Sequence, residues 1–219
     1  QTTWVLFNII LVIFIMGDNG ASGEGTLQGL ANEVGVAANG ATESLEYLLS
    51  IMDDLGGPLT YNHYPVGWAH AMDTPFQWTK QVASHFGGTR NGLVISWPKG
   101  IKQTGEIRSQ FSSVIDIVPT VLEAVGVQAP TMINGVEQTP IEGFSLVKTF
   151  GNALEPTPHA SQYFELMGNR GIYQDGWMAN TSPLKLPWAP PAIGKATPNP
   201  DDFQWELYHI AEDFSQSKN

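Results

Sequence analysis

Thirteen residues, Trp-Val-Leu-Phe-Asn-Ile-Ile-Leu-Val-Ile-Phe-Ile-Met from Trp4 to Met16, form a nearly continuous apolar run interrupted by Asn8. A membrane-crossing helix needs about 20 apolar residues, and a signal peptide needs a basic flank and a small-residue cleavage site. This run meets neither condition, so no membrane span is expected. Its density of Ile, Val and Phe, followed at once by Gly17, fits a strand buried on both faces. The expectation is a central strand over residues 4–16 of a parallel sheet. Because the chain opens in that strand without a Met, a fragment whose upstream partner strands are missing is also expected. At the other end, Lys218-Asn219 carries no terminating signal.

Beyond the strand, a glycine-rich stretch and a polar loop run to about residue 41. Leu45, Leu48, Leu49, Met52 and Leu55 then recur at helical spacing, with Thr42 as cap and Gly56-Gly57 as stop. Residues 58–79 read as a long aromatic loop, and loops of that length in compact domains are usually functional or disordered. Its many aromatic residues argue against disorder. Leu93 to Trp97 predicts a second buried strand, and Pro119 to Gly126 a short helix with Pro near its first turn and Gly after its end. From about residue 158 the pattern becomes an antiparallel meander, then a proline-rich stretch over 181–200, then a last strand at Trp205 to Tyr208. The chain therefore divides, on sequence, into an α/β portion over 1–157 and a small antiparallel subdomain over 158–219.

Ten Lys plus Arg stand against 21 Asp plus Glu, a net charge of −11, so nucleic acid is excluded as a partner and an anionic membrane is a poor one. The absence of Cys removes disulfides, zinc–thiolate sites and a thiol nucleophile from this chain. The charge is also uneven. No Lys or Arg precedes Lys80, whereas eight carboxylates do: Asp18, Glu24, Glu33, Glu43, Glu46, Asp53, Asp54 and Asp73. Any of these that is buried must take its countercharge from the second half, from another chain or from a metal ion.

Asp18-Asn19-Gly20 lies just past the carboxyl end of the first strand, where ligands bind in α/β folds. A carboxylate beside an amide offers two hard oxygens to Ca²⁺ or Mg²⁺. Taken alone, the same tripeptide is a common turn. Gly23-Glu24-Gly25 with Gly29 has the wrong spacing for a dinucleotide loop, and no Gly-Lys-Ser or Gly-Lys-Thr exists for a Walker loop. Lys80, with His85 downstream, is the first concentration of positive charge and a candidate anion site, the alternative being a solvated Lys. The five His show no metal-ligand spacing, and no Gly-x-Ser-x-Gly elbow is present.

Three ordered segments carry a resemblance: Ile15-Met16-Gly17-Asp18-Asn19-Gly20, then Phe86-Gly87-Gly88-Thr89-Arg90-Asn91-Gly92 running into Leu93 to Pro98 and Gly100-Ile101, then Val114 to Gly126. Together they resemble the type I sulfatases, most closely bacterial arylsulfatases, within the alkaline-phosphatase-like superfamily. Trp205 to Tyr208 with Glu212-Asp213 is similar to that family's C-terminal strand. The resemblance implies an α/β fold: part of a mixed, mainly parallel sheet flanked by helices, with a small C-terminal antiparallel α+β subdomain. It implies hydrolysis of small-molecule sulfate esters with a divalent cation, Ca²⁺ or Mg²⁺. Asp18 and Asn19 become metal ligands, and Lys80 a catalytic and substrate-binding contact to the sulfate, with His85 as a second substrate contact. The family's nucleophile, a formylglycine made in a Cys/Ser-x-Pro-x-Arg motif, does not occur here and is expected upstream, with the paired Asp ligands. Alternatives of the same chemistry are a phosphodiesterase or phosphonate monoester hydrolase of the superfamily, or a binding remnant without catalysis. By the same resemblance, export to the periplasm or secretion is compatible with the family.

Overall fold

In a computed structural model, which describes residues 9–183, 186–189 and 199–219, the apolar run contributes strand only over Val12–Met16. Residues 4–8 of the expected strand lie outside the described residues. In chain order the elements are β1 (Val12–Met16), α1 (Glu33–Asn39), α2 (Leu45–Ser50), α3 (Val66–Asp73), α4 (Phe86–Thr89), β2 (Gly92–Ser96), α5 (Ile117–Val125), β3 (Met132–Ile133), β4 (Val136–Glu137), α6 (Val147–Gly151), β5 (Ser161–Leu166), β6 (Asn169–Gln174), β7 (Trp177–Thr181) and β8 (Trp205–His209). By its contacts the chain forms two units, residues 1–15 with 93–160 and residues 16–92 with 161–219.

In the first unit β1 pairs with β2 in a two-stranded sheet. The buried, central position expected for β1 is not seen among the described residues: Val12 is 52% exposed and Phe14 57%. Two strands alone cannot cover either of their faces. β2 likewise leaves Leu93 and Val94 exposed rather than buried. The helix expected at Pro119 begins at Ile117 and ends on Gly126, whose φ of +73° lets its N–H reach Leu122 O and Glu123 O. Ahead of it, Ser113 N donates to Asp116 Oδ2 at 2.8 Å in a capping box. Asp116 is fully buried, and its Oδ1 takes both Phe144 N at 2.8 Å and His159 Nε2 at 2.6 Å. Thr120 Oγ1 donates to Asp116 O and accepts from Leu146 N. This core is thus pinned by polar bonds as well as by Leu146 and Phe150.

In the second unit, β5 to β8 form an antiparallel sheet in sequence order, as the meander predicts. Met167-Gly168 and Asp175-Gly176 make its two tight turns, each with two successive positive φ angles, the arrangement that matches strand twist. Met178, Tyr173 and Tyr208 are buried in it. A Cβ on Gly171 would lie 2.9 Å from Met178 Cε and 3.2 Å from Ser84 Cα, so strand β6 meets the segment before α4 backbone to backbone. Most of the proline-rich stretch lies outside the described residues. The loop expected to run to residue 41 contains α1, capped by Asn32 Oδ1 on Gly35 N at 2.8 Å. Helix α2 is capped by Ser44 rather than Thr42, and after Ser50 the chain passes into a 3₁₀ turn at Met52–Asp54. Its Leu45 and Leu49 are exposed. The aromatic loop contains α3, with Val66 and Ala69 buried. The result is a mixed α/β chain with a C-terminal antiparallel sheet. Among the described residues no helix is long and apolar enough to cross a membrane.

Candidate active site

Gly17, at φ +77°, turns the chain out of β1 in a conformation that costs an L side chain strain. Asp18 follows exposed and Asn19 half-buried, and Asn19 Nδ2 donates to Asp18 Oδ1 at 2.9 Å. The backbone of this loop is held on several sides. Gly20 N donates to Gly88 O at 3.0 Å, and Lys80 N to Ala21 O at 3.0 Å. Ala21 N donates to Asp73 Oδ1 at 2.8 Å. With its amide oriented to satisfy both ends, Asn91 donates to Asn19 O at 2.9 Å and accepts from Asn19 N at 3.2 Å.

The fit between these segments admits no side chains. A Cβ on Gly20 would stand 1.6 Å from Gly87 O, one on Gly87 2.1 Å from Trp78 O, and one on Gly88 2.2 Å from Val82 O. The glycine of Asp-Asn-Gly and the Gly-Gly pair are therefore the two sides of one backbone contact. Asp73 supports the same loop. Its Oδ2 is buried without a hydrogen-bond partner, and burial pushes its carboxyl above the ordinary range, against the pull of Ala21 N–H and His70.

Lys80 meets a carboxylate here. Its Nζ donates to Glu24 Oε2 at 2.8 Å, with the Lys side chain 39% exposed and the Glu 21%. Glu24 also accepts from Ser22 Oγ at 2.6 Å and from Gln81 Nε2. Ser22 Oγ lies 2.8 Å from His63 Nε2, and His63 Nδ1 lies 3.0 Å from Tyr64 O. Burial alone would raise the Glu24 carboxyl, but the hydrogen bonds from Lys80, Ser22 and Gln81 outweigh it and hold it below its ordinary value. The Glu24 hydrogen bond raises the Lys80 ammonium, burial opposes, and the charges of Glu24, Glu33 and Asp18 add to the rise.

His85 is placed differently. It is 1% exposed, its Nδ1 is 2.9 Å from Ser84 Oγ and its Nε2 3.2 Å from Glu206 Oε2. Both ring nitrogens are occupied, so none is left for a ligand. Burial pushes its pKa down, with Glu206 opposing.

Sequence reasoning named Asp18, Asn19 and Lys80, and the structure joins them through Ala21. It passed over Asn91, Asp73, Glu24 and Ser22 as site residues. Asp73 and Glu24 belong to the basic-free stretch: Glu24 takes its countercharge from Lys80, as expected of a buried carboxylate there, whereas Asp73 is met by the backbone N–H of Ala21, a source outside the three named from the sequence. Glu43 shows it again, accepting from Ala31 N at 2.6 Å and Asn32 N at 2.9 Å.

Among the described residues, no three His, Asp or Glu side chains are grouped to hold a metal ion. Asp18 and Asn19 offer one carboxylate and one amide, oxygen donors of the type Ca²⁺ and Mg²⁺ take, on a fixed and accessible loop. They fit one side of a shell that needs about six or more oxygens.

An arylsulfatase of Klebsiella aerogenes is 28% identical over 116 residues, 53% of this chain and 24% of that protein. An uncharacterized sulfatase of Schizosaccharomyces pombe is 25% identical over 94% of this chain and 34% of its own length. The chain thus spans about a quarter to a third of these relatives. A solved structure from work on the metabolism of multiple glycosaminoglycans by Bacteroides thetaiotaomicron covers all of this chain with 36% of its own, at a TM-score of 0.55 and 14% identity. That likeness is one of fold. The sulfatase family model matches residues 7–127, which hold the Asp18 loop, Lys80, the Gly-Gly pair and Asn91. With more than half of its residues matched by that model, the chain belongs to the sulfatase family.

Proposed function

We propose that this chain supplies part of the cation-holding and sulfate-binding apparatus of a sulfuric ester hydrolase acting on aryl sulfate-like esters. The observation that carries the reading is the hydrogen bond from Lys80 N to Ala21 O, which ties the candidate sulfate contact to the candidate metal loop. Asp18 and Asn19 would hold Ca²⁺ or Mg²⁺. The Asn19 amide nitrogen now facing Asp18 would turn away so that its oxygen serves instead. A cation held there supplies Lewis-acid neutralisation of the sulfate oxygens. Lys80 has three ammonium hydrogens and uses one on Glu24, leaving two for sulfate oxygens as charge develops. Asn91, Asp73 and Gly88 fix the loop so that it need not reorganise. His85 belongs to the packing beneath, with its nitrogens spent on Ser84 and Glu206. The nucleophile, a formylglycine in this reading, is not among these residues, since the sequence has neither Cys nor a Ser-x-Pro-x-Arg.

The test uses protein expressed from its complete reading frame, with p-nitrophenyl sulfate. Asp18→Ala should lower both Ca²⁺ affinity and kcat. Lys80→Ala should lower kcat/KM about tenfold to a few hundredfold, the worth of one charge-assisted hydrogen bond, about 1.5–3 kcal/mol. Lys80→Arg should not restore it fully. Wild-type kinetics in both alanine variants would remove these residues from the site.

A further inference from the structure

We propose that Glu24 is a specificity-determining residue, setting the charge that Lys80 accepts so that a monoanionic sulfate ester is favoured over a dianionic phosphate monoester. The inference rests on Lys80 being the sulfate contact. Its own ground is the construction around Glu24. One oxygen takes Lys80 Nζ at 2.8 Å and Ser22 Oγ at 2.6 Å, and the other takes Gln81 Nε2. Ser22 is itself held by His63 Nε2 at 2.8 Å. The carboxylate therefore cannot swing aside for an arriving anion without giving up hydrogen bonds from three side chains.

Lys80 and Glu24 together carry no net charge. An anion seated on the two remaining ammonium hydrogens would have the Glu24 charge roughly 5 Å away, and each further negative charge on the ligand meets that repulsion. Glu33 adds to the negative potential at the Lys80 ammonium. A sulfate monoester brings one charge to this point. A phosphate monoester above its second pKa, near 6, brings two. A pair built only to orient Lys80 would need an oxygen acceptor, which a neutral amide also provides.

That difference sets the experiment. With protein expressed from its complete reading frame, kcat/KM is measured at pH 8 for p-nitrophenyl sulfate and p-nitrophenyl phosphate in wild type, Glu24→Gln, Glu24→Asp and Lys80→Ala. Glu24→Gln keeps an oxygen for Lys80 and loses the charge. It should raise the phosphate-to-sulfate ratio about fourfold to fifteenfold, one unit-charge interaction near 5 Å at a half-exposed site. Glu24→Asp keeps the charge and should keep the wild-type ratio, whatever its absolute rates. An unchanged ratio in Glu24→Gln, or the same shift in both variants, overturns the proposal. If Lys80→Ala leaves both substrates at wild-type kcat/KM, or if wild type hydrolyses neither, the underlying reading of the site fails instead.

Discussion

At the scale of single residues, the chain satisfies its buried charges mainly with neighbours far along the sequence. Glu24 finds Lys80, Asp73 finds Ala21 N, and His85 finds Glu206. His85 allows a direct test. Burial lowers its pKa below the ordinary 6.5, so as pH falls through 6.5 the unfolded chain takes up a proton that the folded chain refuses. Stability should fall on acidification from about pH 6.5 towards pH 5, a window above the ordinary carboxylate range. Urea denaturation at pH 7.5 and 5.5 should show this loss in wild type and a smaller one in His85→Gln. Equal losses would mean that His85 titrates normally in the folded state. Lys80 and Asp18 were legible as candidates because each is local: the first cation in the chain, and a carboxylate just past a strand. Asn91 and Asp73 were not, because each acts only by touching a loop that lies 50 residues or more away.

At the scale of elements, glycine decides where segments meet. Gly126 ends α5 at a left-handed φ, and its place after an apolar helical stretch was readable. Gly20 is different. Nothing in Asp18-Asn19-Gly20 says that Gly20 abuts Gly87, yet a Cβ there would stand 1.6 Å from a carbonyl oxygen. Gly20→Ala should therefore destabilise by about 3 kcal/mol or more, since the obstacle is backbone that cannot rotate away. Gly40→Ala is the comparison: its Cβ meets nothing within 4 Å, so only the left-handed φ of +66° is strained, an effect of order 1 kcal/mol. Thermal melts of the two variants should differ accordingly, and similar melting points would mean that the Gly20–Gly87 contact is looser in solution. Helices α1 and α3 escaped the sequence reading because each is short, seven and eight residues, and glycine-containing. α2 was readable from its leucine spacing, but it stops at Ser50, where the chain passes into the 3₁₀ turn Met52–Asp54.

At the scale of the whole molecule, the two units carry apolar side chains that the described residues leave uncovered: Val12, Phe14 and Met16 on β1, Leu45 and Leu49 on α2, and Val118, Val121 and Val125 on α5. Exposure on this scale marks surfaces that want a partner. The 219-residue chain purified alone should bind a hydrophobic dye strongly and elute ahead of its monomer position. It should not hydrolyse an aryl sulfate above background with Ca²⁺, because it has no nucleophile of the family's type. A clean monomer without dye binding, or clear turnover, would contradict these expectations. The sequence by itself determined what is encoded within a few residues: the β5–β8 meander as a succession of strand-forming segments, the end of α5, the Asp18-Asn19-Gly20 loop after a strand, and the ordered motifs of the family. Only the tertiary structure decided that β1 leaves its apolar side chains exposed, that Gly20 docks on Gly87 and Gly88, and that Lys80 is paired with Glu24 while His85 is sealed by Glu206. Turn and strand preferences arise from local sterics, whereas burial and charge pairing depend on which distant segments are brought together. The pairs that matter here are 56 and 121 residues apart.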